Sequence, residues 1–237
     1  KPILAKFSQA KGVKITGADL QHTWQEGHRC LLIDTNHPDF DNKGSALRNY
    51  LAKMPREKRR SNRTFNKRKD WHRPDDGRTP DAFFPYMYQH GPQIILNEAH
   101  TTSTNTIHRL YFREGQAPEH MEEAVWQKAC AISILSTFSQ LSGELEGRCY
   151  GAGVLKHEPS EARQIRILLP PTINQTQVRD TFSRVDTALR NQEREQAQRI
   201  ADDFVLQGET PLRKGAVVEV LGRALASARD RRRRYRS

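Results

Sequence analysis

A basic segment with interleaved aromatic and amide side chains is the part of the sequence best suited to contact a polyanion. This basic segment, residues 53–73, contains ten lysines and arginines against two acids, Glu57 and Asp70. Lysine and arginine neutralise phosphates, and aromatic or amide groups stack on bases or bind their edges. Groups of the second kind in the segment are Asn62, Phe65, Asn66 and Trp71. A solvated surface on which Trp71 anchors the loop explains the charge run equally well.

Signatures of the common enzyme classes are absent from the sequence. It contains no P-loop, no dinucleotide-binding glycine pattern, no nucleophile elbow and no His-Glu-x-x-His. No Glu-x-Lys occurs, which disfavours the usual nuclease arrangement of acids and lysine around a hard cation. The polar residues His90, Asn97, His100 and His108 match no metal-ligand spacing. We therefore expect neither catalytic residues nor a metal site in this chain.

The overall charge favours a polyanionic partner. The chain has 237 residues, with 39 Lys+Arg against 28 Asp+Glu and a formal net charge of +11. This balance is typical of proteins that neutralise phosphates, although other basic proteins share it. The length allows one large domain or two small ones with a core of their own.

Membrane and export signals are not recognisable. No stretch approaches the roughly 20 apolar residues that a membrane span requires, and residues 1–12 lack the apolar core of a signal peptide. The odd number of cysteines, Cys30, Cys130 and Cys149, argues against a disulfide framework. We expect a soluble cytoplasmic protein without a membrane partner. Because the sequence opens on Lys1, we also expect it to be part of a longer polypeptide.

The first half of the sequence combines strand and helix patterns. Residues 30–33 form an apolar run that predicts a buried strand, and residues 43–54 predict a short helix that ends at Pro55. Three strand-like runs follow, separated by turn residues, at 83–89, 93–98 and 106–113. We expect these three runs to be neighbouring strands of one sheet.

The second half is predominantly helical. Residues 118–143 have one apolar stripe and predict a long helix that packs on the sheet. A strand-like pattern returns at 150–156, and Pro159 suits the start of a helix. The apolar spacing from Val178 to Phe204 predicts one amphipathic helix of up to about nine turns. A last helix is expected at 216–228, before a tail with six arginines among residues 229–236 that we expect to be mobile.

Three passages resemble the C-terminal half of the gamma-type adenine-specific DNA methyltransferases of restriction-modification systems. The first passage is Arg-Lys-Asp-Trp-His at 68–72 with the strand-like residues 80–87, and the second is 92–97 with Thr-Asn-Thr-Ile-His at 104–108. The third, residues 147–159, is similar to the family's Tyr-Gly-Gly-Gly-x-x-Lys-x-Glu-Pro signature, and Leu-Leu-Pro at 168–170 completes it. This sequence departs from the family pattern at Asp70, His72 and Ala152.

The resemblance implies a DNA-reading role without the methyl-transfer centre. The family's Asn/Asp-Pro-Pro-Tyr/Phe motif and its glycine-rich S-adenosylmethionine site are both missing from the sequence. No cofactor is therefore expected in this chain, and S-adenosylmethionine is expected in a separate catalytic domain or subunit that would be its partner. Because the adenine must be rotated out of double-stranded DNA, another region has to grip and read the flanking DNA.

The resemblance, together with the residue types, gives a set of expected DNA contacts. Phosphate contacts are expected from Arg63, Lys67, Arg68, Lys69 and Arg73. Base contacts are expected from Trp71, Asn105 and His108, although Asn105 equally suits a turn and His108 a buried structural position. Gly151 and Gly153 would allow a close approach to a helix or to DNA, or would simply form a tight turn. The residues expected to border them are Arg148, Tyr150 and Lys156.

The expected fold class is α+β. We predict a mixed-sheet target-recognition domain at 1–170 that is packed by a long helix, a helical region at 171–228 and a basic tail at 229–237. The helical region would brace this domain or dock to a partner subunit. Two alternatives remain open: a general RNA- or single-strand-binding module that stacks bases on Trp71 and Phe65, and a restriction endonuclease with metal-dependent cleavage.

Overall fold

The computed structural model describes two compact units of the chain. It covers residues 1–35, 37–40, 42–73, 76–119 and 121–234, with the backbone alone at 39 and 152. The first unit consists of Lys1–Pro2 and Leu31–Thr79, and the second of Ile3–Cys30 and Pro80–Ser237. This division does not coincide with the sequence-based boundary at Pro170, because the helices after Pro170 share a hydrophobic core with those before it.

Strands are short and helices are long in the described residues. The strands are β1 (Ile3–Leu4), β2 (Lys14–Ile15), β3 (Ala82–Pro85), β4 (Met87–Tyr88), β5 (Ile95–Asn97), β6 (Thr102–Ser103), β7 (Ile107–Leu110), β8 (Arg148–Tyr150) and β9 (Val154–Lys156). The α-helices are α1 (Gly17–Gln25), α2 (Ala46–Ala52), α3 (Arg56–Ser61), α4 (Arg63–Asn66), α5 (Glu123–Ser133), α6 (Thr137–Glu146), α7 (Pro159–Ala162), α8 (Gln175–Arg190), α9 (Arg194–Val205) and α10 (Pro211–Arg234). Short 3-10 turns lie at Phe7–Gln9, Pro38–Phe40 and Gly151–Gly153.

The first unit is built from the short helices α2, α3 and α4. The predicted helix at 43–54 is confirmed as α2, and Ser45 caps it by accepting a hydrogen bond from the Arg48 backbone N–H at 3.2 Å. The strand predicted at 30–33 does not form. Leu31 makes only an isolated bridge with Pro2, and the side chains of Leu31 and Ile33 are exposed. After the buried Cys30, the run therefore lacks the continuous strand pairing and the burial that a strand would need.

The second unit contains a mixed four-stranded sheet in the order β2-β5-β3-β7. Strands β2 and β5 are parallel, whereas β3 is antiparallel to both β5 and β7. The prediction of three neighbouring strands is thus confirmed, with the first run broken after Pro85 so that β4 joins another sheet. Along β3, Ala82 and Phe84 face one core and Phe83 faces the other. This alternation shows that both faces of the sheet are covered.

Helices α5, α8 and α9 form the larger core with one face of the sheet. The predicted long helix at 118–143 is instead two helices, α5 and α6. Ser136 caps α6 by accepting from the Ser139 N–H, and the buried Asp202 of α9 accepts hydrogen bonds from both the backbone N–H and the hydroxyl of Thr137 at 2.7 Å. These acceptors begin a new helix, so the chain turns between Ser133 and Thr137 although the apolar stripe continues.

The amphipathic helix predicted over 178–204 is also divided. Helix α8 ends at Arg190, Gln192 adopts a left-handed backbone with φ of 65°, and α9 begins at Arg194. Both helices bury their apolar stripes in the same core. The periodicity therefore identified the buried face correctly and missed the turn that reverses the chain.

Helix α10 is longer than predicted and includes most of the expected tail. The sequence interpretation ended this helix at Ala228, whereas it continues to Arg234. Arg232 is 6% exposed and donates two hydrogen bonds to the Glu144 carboxylate, at 2.8 and 2.9 Å. This buried pairing fixes the end of the helix on α6. The last part of the predicted tail, residues 235–237, lies outside the described residues.

Two smaller sheets complete the second unit, which has the predicted α+β class with mixed sheets. Strands β4, β9 and β8 form an antiparallel sheet, and β1 pairs in parallel with β6. Strands β8 and β9 form a hairpin. The strand-like pattern predicted at 150–156 corresponds to the end of β8, the turn Gly151–Gly153 and β9. Within the described parts of the chain, no helix combines the length and apolar character needed to cross a bilayer.

Candidate nucleic-acid interface

The basic segment contains two short helices, the second of which is capped by a side chain of the segment. Pro55 precedes α3, and the side-chain oxygen of Asn62 accepts hydrogen bonds from the backbone N–H groups of Thr64 and Phe65 at 2.9 and 3.2 Å. Asparagine is among the best N-caps because its short side chain reaches the free N–H groups of the first turn. The side chain of Asn62 therefore has a structural role, and the two helices contain five of the segment's ten cations, while Lys67, Arg68, Lys69 and Arg73 follow α4.

Trp71 is part of the internal packing of the first unit. Its ring lies edge-on to Phe65 with centroids 5.5 Å apart, and the guanidinium of Arg59 lies 4.9 Å above it. Arg59 is in turn fixed by a 3.1 Å hydrogen bond from its Nε to the Met54 carbonyl. This packing matches the anchoring alternative considered for Trp71. A half-buried ring held on both sides has little freedom to stack on a base.

The predicted phosphate-binding cations are mostly exposed, and most form no ion pair with the residues that the structure describes. Arg63, Lys67 and Lys69 are exposed, and Arg68 is half-buried. Arg73 lies 3.5 Å from Asp70, while the other four residues form no ion pair with any described part of the chain. Unpaired, solvated cations are available to phosphates without first breaking an internal contact.

His72, which stands where the resembled family has tyrosine, is also packed inside the first unit. Its ring contacts Phe40 at 4.5 Å, and its backbone carbonyl accepts a hydrogen bond from the Thr35 hydroxyl at 3.2 Å. Burial lowers the pKa of the His72 imidazole. The departure from the family pattern therefore falls on a residue that packs the segment.

Asn105, in the second unit, lies exposed in the turn between β6 and β7. The side-chain hydrogen bonds of this turn come from Thr104, whose hydroxyl donates to the Ala5 carbonyl and lies 2.9 Å from the Thr106 hydroxyl. The Asn105 amide has no hydrogen-bond partner among the residues that the structure describes. The turn thus leaves this side chain able to bind an external group.

His108 of β7 is held by neighbouring residues of the second unit. Its Nε2 lies 2.8 Å from the His157 carbonyl oxygen, which requires an N–H at that position. The ring stacks on Phe84 at 6.3 Å and meets Tyr86 edge-on at 5.1 Å. These contacts agree with the structural alternative for His108, since its ring has contacts on both sides and a fixed tautomer.

The glycine hairpin, residues 148–156, consists of β8, the turn Gly151–Gly153 and β9. Gly153 has a left-handed φ of 70°, and a Cβ built on it would lie 3.3 Å from the Arg232 carbonyl oxygen. Gly153 therefore allows the hairpin to approach the backbone of α10, one of the two neighbours considered for it. A Cβ on Gly151 would meet no atom within 4 Å.

Acidic residues after the hairpin neutralise its two cations. Arg148 forms an ion pair with Glu161, and Lys156 lies 2.8 Å from Glu158. The Tyr86 hydroxyl donates to Glu158 at 3.0 Å. The hydrogen bond between Lys156 and Glu158 raises the pKa of the lysine and lowers that of the carboxylate. Both groups are consequently charged near neutral pH and engaged with each other.

Tyr150 is the exposed aromatic residue of the glycine hairpin. It is 55% exposed, and the Lys156 ammonium lies 5.4 Å from its ring centre. The structure thus brings Arg148, Tyr150 and Lys156 together on one hairpin. It places the basic segment in a separate compact unit.

Sequence reasoning missed the residues that anchor the hairpin. Glu144 of α6 is almost fully buried between Arg229 and Arg232 of α10. The cluster of arginines in the sequence was a signal of charge, but it gave no indication of which arginine would be buried. The described residues contain no group of three or more His, Cys, Asp and Glu side chains placed to hold a metal ion.

Together, these features define a basic α+β protein with exposed cations in one unit and an aromatic glycine hairpin in the other. A family model for the C-terminal domain of the Type II methyltransferase M.Eco57I matches residues 1–206. Because this match covers most of the chain, the protein belongs to that family, and the resemblance to methyltransferase C-terminal regions is confirmed. No curated protein and no solved structure matches the chain. The matched residues end just after α9, so α10 lies beyond the matched range.

Proposed function

We propose that this chain is the DNA-reading domain of a site-specific adenine methyltransferase of a restriction-modification system. The observation that carries the proposal is the set of exposed cations Arg63, Lys67 and Lys69, which form no ion pair with the described residues, in a chain that belongs to a methyltransferase C-terminal family. Such cations bind the DNA backbone whatever its sequence and so supply affinity. Arg68, which is half-buried, and Arg73, which lies 3.5 Å from Asp70, are further cations of the same segment.

Sequence reading requires groups that reach base edges. Asn105 is the strongest candidate, because its amide is exposed and has no partner within the described chain. An asparagine side chain can donate to and accept from adenine at the same time, which distinguishes adenine from the other bases in the major groove. Tyr150 supplies an exposed ring that can stack on a base or sugar.

The remaining predicted contacts are assigned supporting roles in this proposal. Arg148 and Lys156 hold the glycine hairpin through Glu161 and Glu158 and thereby orient Tyr150. Trp71 and His108 maintain the two surfaces through their ring contacts. Gly151, which has open space around it, permits DNA to approach the hairpin turn.

Methyl transfer itself is assigned to a catalytic region that this chain does not contain. The chain lacks the Asn/Asp-Pro-Pro-Tyr/Phe motif and the glycine-rich pattern that S-adenosylmethionine needs. In this proposal the catalytic region binds S-adenosylmethionine and the rotated adenine, while the present chain grips double-stranded DNA beside it. The setting we propose is the cytoplasm, where the DNA substrate lies.

The test is selection of bound sequences from a random duplex-DNA library over a series of salt concentrations, with S-adenosylmethionine binding measured in parallel. We expect one short adenine-containing site to be enriched and the cofactor not to bind. Asn105→Ala should reduce the discrimination between the selected site and other sequences by about 1–3 kcal/mol. Asn191→Ala, which also alters an exposed asparagine of the second unit, should leave discrimination unchanged.

Salt-sensitive binding without an enriched site would contradict the reading role and favour a general nucleic-acid-binding module. Preference for single strands over duplexes would identify the RNA- or single-strand-binding alternative directly. Metal-dependent cleavage of the library would instead indicate an endonuclease. An equal loss of affinity for all sequences in Asn105→Ala would remove that residue from base reading and leave it a backbone contact.

A further inference from the structure

A cavity in the second unit is lined by arginines that the proposed DNA surfaces do not use. It has a volume of about 210 Å³ and lies where α9 and α10 approach the residues that follow β4. Its polar lining includes Gln89, His90, Gln140, Arg194, Arg229 and Arg233. Cavities that hold drug-sized ligands measure about 300–1,000 Å³, so this cavity suits a smaller group.

Two of the three arginines are held in place by neighbouring side chains. The Arg194 guanidinium lies 5.2 Å from the ring centre of Tyr88 and also donates a hydrogen bond to the Tyr88 hydroxyl. The Arg229 Nη2 donates to the Gln140 side-chain oxygen at 3.3 Å, and its Nε lies 3.4 Å from the Glu144 carboxylate. Both guanidiniums are therefore oriented before any ligand arrives.

The third arginine, Arg233, is exposed and has no partner in the described part of the chain. It follows Arg229 by four residues on α10, so the two side chains lie on the same face of the helix. Like charges at this spacing repel each other and destabilise a helix slightly. An anion bound between the two guanidiniums would attract both of them and would offset this repulsion.

Nearby acids compensate the cavity's positive charge only in part. Glu144 lies 3.4 Å from Arg229 Nε, but its carboxylate is already engaged by the two hydrogen bonds from Arg232. The exposed Glu195 is the second acid, and it is itself part of the cavity lining, unlike Glu144. Partial burial and the charges of Arg194, Arg229, Arg232 and Arg233 lower the pKa of His90, so this imidazole is neutral near pH 7.

We propose that this cavity binds a phosphate group through Arg194, Arg229 and Arg233. A tetrahedral anion has several acceptor oxygens, and three guanidiniums from two helices can each donate to it. The group could belong to a DNA backbone or to a free phosphate-bearing molecule. Assigning it to DNA rests on the function proposed above, whereas phosphate binding itself does not.

The first experiment titrates the full chain with inorganic phosphate in a calorimeter at constant ionic strength. We expect saturable binding, and we expect Arg233→Ala to weaken it about tenfold or more, because a charge-assisted hydrogen bond is lost. Arg231→Ala is the matched control, since it removes an exposed arginine of the same helix that does not line the cavity. It should bind phosphate like the unmodified chain.

A second variant and a stability measurement distinguish a loss of phosphate binding from a loss of folding. Arg194→Gln removes the guanidinium contributed by α9, and thermal unfolding without phosphate reports whether each variant is intact. Weakened phosphate binding in folded Arg233→Ala and Arg194→Gln, with Arg231→Ala unaffected, supports the site. No saturable binding to the unmodified chain, or an equal loss in Arg231→Ala, would overturn it.

The source of the phosphate is distinguished by DNA binding of the same variants. If the cavity holds a DNA phosphate, Arg233→Ala lowers the slope of log affinity against log salt by about 1, more than Arg231→Ala does. If DNA binding is unchanged while phosphate binding is weakened, the ligand is a free phosphate-bearing molecule. Phosphate binding in a chain that binds no DNA would uphold the site and overturn the proposed DNA-reading function.

Discussion

The basic segment and the glycine hairpin contain the same kinds of side chain and use them in opposite ways. In the basic segment the aromatic ring of Trp71 is packed, while Arg63 and Lys67 have no ion pair with the described chain. In the glycine hairpin the cations Arg148 and Lys156 are paired, while the ring of Tyr150 is exposed. Residue type therefore does not decide which group is available to a ligand.

The distribution of nearby acids explains this difference. Two acids, Glu158 and Glu161, follow β9 directly and pair with the cations of the hairpin. The basic segment has ten cations for two acids, and its Asp70 lies near Arg73. Most of its positive charge consequently remains uncompensated. The first surface is suited to bind phosphates, and the second to hold an aromatic ring in a fixed position.

The largest expected effect comes from removing the anchor of the glycine hairpin. In Arg232→Ala, the nearly fully buried Glu144 loses its bidentate partner, and the hairpin loses its contact through the Gly153 carbonyl. Breaking a buried ion pair costs about 3–5 kcal/mol when one charge stays buried without a partner, and because Arg229 remains 3.4 Å from Glu144 we expect a loss of about 3 kcal/mol. Urea unfolding of the second unit should show a loss of this size.

Arg231→Ala is the control for this change, because its side chain is exposed on the same helix. It should alter the free energy of unfolding by no more than about 0.5 kcal/mol. If Arg232→Ala had an equally small effect, α10 would not be the anchor, and the hairpin would depend on its own strand pairing.

A smaller effect is expected from the corresponding anchor of the basic segment. Trp71→Ala removes a half-buried ring that contacts Phe65 and Arg59, which should destabilise the first unit by about 2 kcal/mol. Hydrogen exchange of the α3 and α4 amides should accelerate, while exchange in the second unit should not change. Trp71→Phe should recover part of the protection.

Tyr50→Ala tests whether the loss of another aromatic ring in the first unit also accelerates hydrogen exchange in α3 and α4. Tyr50 is 59% exposed on α2, so its removal should change exchange in α3 and α4 much less. Unchanged exchange in Trp71→Ala would show that the ring is not an anchor, and would restore Trp71 as a candidate for stacking on bases.

Local sequence patterns predicted the three central strands and the strand-like character of residues 150–156, although the strand expected at 30–33 did not form. Strands β5, β3 and β7 follow apolar runs bounded by turn residues, and the register of such short neighbours depends on residues close in sequence. The pairing of Lys156 with Glu158 is also local, because residues two apart lie on the same side of an extended chain.

The features that sequence did not predict depend on distant residues. Thr137 starts α6 because Asp202, 65 positions later, accepts its N–H. Arg232 is buried because Glu144, 88 positions earlier, lies opposite it. Apolar periodicity reports which face of a helix is buried, but it contains no information about such partners. For the same reason the two broken helices and the ordered end of α10 could not be predicted from local spacing.

The smallest effect, and the most direct test of the comparison, is expected from single lysine changes. Lys67 is exposed and unpaired among the described residues, whereas Lys156 lies 2.8 Å from Glu158. Lys67→Ala should lower the slope of log DNA affinity against log salt by about 0.9, the contribution of one phosphate contact. Lys156→Ala should lower it by less than about half of that. Both correspond to about 1 kcal/mol of binding or less.

Lys11→Ala provides the baseline for this measurement, because Lys11 is an exposed lysine outside both surfaces. If all three variants lower the slope of log affinity against log salt by the same amount, DNA binding follows net charge alone and neither surface contacts DNA preferentially. An equal loss in Lys67→Ala and Lys156→Ala, with Lys11→Ala unaffected, would show that DNA displaces Glu158 from Lys156. The hairpin would then contribute a phosphate contact of its own, and a pairing seen in the free protein would not predict which cations DNA can reach.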